Sequence, residues 1–124
     1  MTHEEFERIV MNKILDGKDE LFNVLKKQYL CSKVISREFT GCGFFTSFEI
    51  SDELVQGYFK GRIDDVRATL DNQIGEYLFF ILYISDGKID TLECFTTMDK
   101  WDYNYDNAIV EHCFEGKREF EISY

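Results

Sequence analysis

Residues 77–96 read Tyr77-Leu-Phe-Phe-Ile-Leu-Tyr-Ile84-Ser-Asp86-Gly87-Lys-Ile89-Asp-Thr-Leu-Glu-Cys-Phe-Thr96. The first eight are apolar throughout, which predicts a central strand covered on both faces. Asp86-Gly87 between two strand-like runs is a strong hairpin signal, so residues 89–96 form the returning strand. Outward from this hairpin the period of two recurs. Phe44, Thr46, Phe48 and Ile50 alternate with Phe45, Ser47 and Glu49, and Val66, Ala68 and Leu70 alternate with Asp65, Arg67 and Thr69. Residues 109–114 and 119–124 flank Glu115-Gly116-Lys117 and read as a second hairpin, with Phe120, Ile122 and Tyr124 on one side.

The first thirty residues have a different period. Thr2 and Glu5 stand at the spacing of a capping box, and Phe6, Ile9, Val10 and Ile14 follow at helical intervals. Gly17 reads as a left-handed helix stop and Asp19 as the cap of a second helix, whose Leu21, Phe22, Leu25 and Tyr29 share a face. Helices first and strands afterwards define an α+β fold: two N-terminal helices packed on an antiparallel sheet of about five or six strands. No repeat, low-complexity tract or linker divides residues 1–124, so they form one domain.

Composition excludes several functions. The 124 residues carry 24 Asp+Glu against 14 Lys+Arg, a formal net charge of −10, and 44% are hydrophobic. That apolar content suits a folded core. The negative charge opposes binding to nucleic-acid phosphates, which rests on Lys and Arg. The longest apolar run is the eight residues from Tyr77, against roughly 20 for a membrane helix. The acidic start, Met1-Thr-His-Glu-Glu-Phe-Glu7, is unlike a signal peptide. Cys31, Cys42, Cys94 and Cys113 form no CxxC pair, so reduced thiols and a cytoplasmic location are expected.

Candidate chemistry is sparse. Cys42 stands between Gly41 and Gly43, where a tight turn could expose a nucleophile, and His112 is the base it would need. The plainer reading makes the glycines a turn or bulge and Cys42 a small packed side chain. Asp102-Tyr-Asn104-Tyr-Asp106 imitates a calcium loop, but Asn107 stands where glycine is required and Cys113 where the bidentate Glu belongs. The adjacent acid pairs Glu4-Glu5, Asp52-Glu53 and Asp64-Asp65 read as solvated. An aromatic ligand pocket from Phe44, Phe45, Phe48 and Tyr77 is a further alternative. No enzyme, metal or cofactor is expected.

Charge is distributed unevenly. Residues 1–50 carry eight acids and seven bases, residues 51–84 six and three, and residues 85–124 ten and four. Aromatic residues are interleaved with the last group. A binding surface for a basic partner is therefore placed on Asp99, Asp102, Tyr103, Tyr105 and Asp106, together with Glu111, Glu115, Glu119 and Glu121 of the C-terminal hairpin. Carboxylates would steer the encounter and a tyrosine would anchor it. Trp101 suits a core role equally well.

One pattern resembles a family of small bacterial proteins of unassigned activity. Arg37-Glu-Phe-Thr40-Gly41-Cys-Gly43-Phe44-Phe45-Thr46 matches its R-x-x-T-G-x-G-F-F-T stretch. Asp86-Gly87-Lys-Ile89-Asp90, Leu92-Glu93 and Trp101 match the later part. The family's proline after the Trp is absent, and Gly75-Glu-Tyr-Leu replaces a more glycine-rich lead-in. Small acidic proteins of this kind resemble immunity proteins of bacterial toxin systems, such as contact-dependent growth inhibition. The resemblance implies a partner, a cognate basic toxin domain such as a nuclease, and brings no catalytic residues.

Overall fold

The computed structural model describes residues 1–70, 76–116, 118 and 120–124. Helix α1 (His3–Ile14) begins with the capping box: Glu5 N donates to Thr2 Oγ1 at 3.1 Å, and Thr2 N donates to the Glu5 carboxylate at 3.3 Å. Its buried stripe is Phe6, Glu7, Val10, Met11 and Ile14, while Ile9 is exposed. Helix α2 (Glu20–Leu30) follows Asp19, whose side chain makes no capping bond. Gly17 has no left-handed backbone. A Cβ there would stand 2.2 Å from the Phe22 ring, so its role is to let that ring approach.

Among the described residues seven strands follow: β1 (Lys33–Phe39), β2 (Gly43–Glu49), β3 (Lys60–Thr69), β4 (Tyr77–Ser85), β5 (Lys88–Thr96), β6 (Ile109–His112) and β7 (Phe120–Ser123). They form one antiparallel sheet in the order β1-β2-β5-β4-β3, with β6 and β7 both on the far edge of β3. The α+β class is as expected. The C-terminal hairpin is not, because β6 and β7 do not pair with each other. β6 takes Val66–Thr69 of β3 and β7 takes Lys60–Ile63, so the two lie end to end on one edge. Between them β3 changes register, Cys113 N donates to Asp65 O at 2.8 Å, and Arg118 fills the break. Its guanidinium bonds Asp65 at 2.6 and 3.0 Å, Asp16 at 2.8 Å and Ile14 O at 2.8 Å.

The apolar strand β4 is central, but only one of its faces is sealed. Leu78, Phe80, Leu82 and Ile84 point inward and are buried; Tyr77, Phe79, Ile81 and Tyr83 alternate with them and stay half-buried. The inner face packs with Phe6, Val10, Ile14, Phe22 and Leu25 of the helices into a single core. Gln28 pins α2 to the β4–β5 turn. Fully buried, it donates to Gly87 O at 2.8 Å and accepts from Ile89 N at 3.0 Å. Asp86 and Gly87 both have positive φ, 52° and 73°, the backbone a two-residue hairpin requires.

Candidate functional site

Residues 97–108 run from β5 to β6 without regular structure, and their odd-numbered aromatics attach them to the molecule. Trp101 is buried, with its backbone N bonded to Gly41 O at 2.9 Å. The Tyr103 hydroxyl accepts from Gly41 N and donates to Gly43 O, both at 2.7 Å. Tyr105 is 7% exposed and stacks on Phe6 at 4.7 Å between ring centroids. Burial pushes its hydroxyl up to about 12. The even-numbered polar residues point to solvent and stiffen the backbone. Asn104 N donates to Asp102 Oδ1 and Asp106 N to Asn104 Oδ1, each at 3.0 Å.

The acidic and aromatic residues expected to bind a partner separate here. Asp99, Asp102 and Asp106 are exposed, Asp106 lying 3.6 Å from the N-terminal amine. Tyr105 is buried in the core, and Tyr103 fastens its own loop to the β1–β2 turn. Glu115 is exposed, and Glu119 lies outside the described residues. Glu111 and Glu121 stand on the opposite side of the molecule, on the outer face of the sheet. The acidic positions thus form two separate patches.

That outer face was not anticipated as a site. Across β5, β4, β3 and β6, one row reads Phe95, Phe79, Arg67, Glu111; another, ending on β7, reads Thr91, Tyr83, Arg62, Glu121. Phe45, Glu93 and Ile81 form a third across β2, β5 and β4. Phe79 lies 5.6 Å from Phe95 and 5.9 Å from Tyr77, ring centroid to ring centroid. Arg67 sits 4.6 Å over the Tyr77 ring while bonding Glu111 at 3.1 Å. The Tyr83 hydroxyl donates to Glu93 at 2.8 Å; burial and then that carboxylate push it up. Both helices pack on the inner face, and among the described residues no helix covers this one. Its centre is aromatic and aliphatic with Glu93 among the rings, and its β3 margin carries paired arginines and glutamates.

A second constellation lies on the inner side. Glu7, 3% exposed, accepts from Thr46 at 2.6 Å, from Arg37 at 3.0 and 3.2 Å, and shares a bond with His3 Nε2 at 3.1 Å. Burial alone would raise its pKa; the hydrogen bonds from His3, Arg37 and Thr46 outweigh it and hold the carboxyl at about 2. The His3 ring bridges the network to the loop, with Nε2 on Glu7 and Nδ1 2.5 Å from the Tyr105 hydroxyl. Every member has a partner, which makes the network a clasp between α1, β1, β2 and the 97–108 loop. Sequence alone singles out only the neighbouring pair Glu4-Glu5, because a Glu just beyond a run of acids looks solvated.

The alternatives fare differently. Cys42 leads into β2 and His112 ends β6, four inter-strand steps apart, or about 19 Å at ~4.8 Å per step. His112 bonds Lys13 O and Asp16 instead. Phe44 and Phe48 face the core while Phe45 and Tyr77 face outward, so these four line no common pocket. All four cysteines are unpaired, and burial drives the Cys94 thiol well above its ordinary range. No cluster of three or more His, Cys, Asp or Glu among the described residues is placed to hold a metal, and no described helix is long and apolar enough to cross a membrane. The molecule is defined at the level of class: two helices on one face of a seven-stranded antiparallel sheet. Compared with protein-family models, curated proteins and solved structures, the chain matches none.

Proposed function

We propose that this chain is an immunity protein that acts by binding rather than catalysis. It works in the cytoplasm, where it covers the active or substrate-binding surface of a basic toxin domain such as a nuclease. The observation that carries the reading is the outer sheet face, where half-buried Phe79, Ile81 and Tyr83 and exposed Phe95 lie beside Glu93, Glu111 and Glu121, with no described helix over them. Aromatic and aliphatic side chains held by a rigid sheet are suited to anchor a partner at low entropic cost. Glu93 among the rings and a net charge of −10 attract a domain made basic by its own need to bind phosphate, while Glu111 and Glu121 are paired with Arg67 and Arg62 at the margin.

Co-expression with the product of the neighbouring gene tests the proposal. The wild-type chain should co-purify with a basic product and restore growth to cells that make it. Ile81→Lys, which sets a cation at the centre of the face, should abolish both while thermal unfolding shows the variant still folded. A variant that protects as well as wild type would overturn the assignment of this face. A neighbouring product that is not toxic, or is not bound, would overturn the immunity reading itself.

A further inference from the structure

Strand β1 is one edge of the sheet, and most of its side chains are exposed. Of its seven residues only Arg37 is less than exposed. Ile35 is 63% exposed, Phe39 52% and Val34 40%, and Leu30, just before the strand, is 82% exposed. An edge strand directs every second N–H and C=O away from its neighbour, which is a template for another strand. Edges are commonly guarded by charge or by a bulge, and β1 has a register shift between Val34 and Ser36. That irregularity restricts which strand can be added.

We infer that the β1 edge pairs antiparallel with β1 of a second copy, joining two sheets across a two-fold axis. The register follows from the faces. Val34 and Arg37 are paired with inward Phe48 and Thr46; Lys33 and Glu38 are paired with outward Glu49 and Phe45. Setting Lys33 opposite Glu38 of the second copy, and Val34 opposite Arg37, matches outward with outward and inward with inward. A shift by one residue either way opposes Lys33 to the inward Arg37 or Phe39 and breaks the match. In the matched register the symmetry makes two Lys33–Glu38 pairs. Arg37 brings no repulsion, being already neutralised by Glu7 and Glu4.

The same register sets Phe39 opposite Ser32 of the second copy. Ser32 lines a groove of about 390 Å³ beside β1, with Tyr29, Leu30 and Val34 on its walls near β1 and Glu4, Arg8 and Arg37 on its charged side. Phe39 of each copy thus meets the mouth of the other's groove, and exposed Phe39 and Leu30 cover one another. The occupant is self-complementary in charge and shape, as a two-fold interface demands.

Sedimentation equilibrium with two charge reversals tests this. The wild-type chain should sediment at twice its own mass. Lys33→Glu and Glu38→Lys should each weaken the dimer by about tenfold, since each turns two attractive pairs repulsive. An equimolar mixture of the two variants should recover wild-type affinity. In the mixed dimer the acids of one variant at positions 33 and 38 face the bases of the other, so both cross-strand pairs are attractive again. Thermal unfolding of each variant confirms that it is folded. A wild-type chain that stays monomeric would overturn the inference and assign the edge to a strand from a different protein. So would a single reversal without effect, or a mixture no tighter than its components.

Discussion

Glu7 joins four side chains in one buried network, and its protonation is a stability term. Its folded pKa, about 2, lies below its ordinary 4.5, so the stabilisation is complete above 4.5 and is lost as the pH falls towards 2. Denaturant unfolding should show that loss across this interval for wild type, and a flatter profile for Glu7→Gln. At neutral pH the Gln variant, which leaves Arg37 without its bidentate partner, should lose about 2–3 kcal/mol. Gly43 makes a second prediction. A Cβ there would stand 1.9 Å from Cys94 O across the β2–β5 ladder, so Gly43→Ala must push two strands apart at a cost of about 1–3 kcal/mol. Calorimetry of that variant would register the loss as a lowered midpoint. Legibility at this scale was uneven. The Thr2–Glu5 cap was readable because both partners are local. The Glu7 clasp was not, because Arg37 and Thr46 reach it from 30 and 39 positions away.

At the scale of elements, periodicity located most of the structure. β2 and the β4–β5 hairpin were legible from alternation and from Asp86-Gly87, whose backbone needs are local. β1 was not, since a strand exposed on both sides has no alternation to show. The C-terminal hairpin was misread for a related reason: turn residues announce a reversal of the chain, but not which edge the returning strand will find. The 97–108 loop illustrates the limit for the candidate site. Its irregularity and its exposed acids were legible, whereas which of its aromatics were core could not be read without Phe6 and the β1–β2 turn. Replacing Asp102 and Asp106 together with Asn should leave the thermal midpoint nearly unchanged, since Asn at 102 retains the oxygen that caps the loop backbone. If this patch also faces the toxin, the double variant should associate more slowly at low salt, as stopped-flow mixing would detect.

For the whole molecule, the sheet divides labour between its two faces and one edge. The inner face holds the fold together; under the proposed function the outer face receives a basic partner, and under the inferred pairing the β1 edge receives a second copy. Salt should separate the contact with a basic partner from the fold itself: raising ionic strength should weaken toxin association far more than it lowers the unfolding midpoint, because the core is apolar. The clasp at Arg118 has a temporal consequence as well. Asp16 and Arg118 are 102 positions apart, as are His3 and Tyr105. During synthesis, at roughly 5–20 residues per second, α1 leaves the ribosome several seconds before either partner exists. Until then its buried stripe has only its partners in α2 and the earlier strands, such as Phe80 against Phe6, and a chaperone holding that helix would shield the nascent chain through the interval.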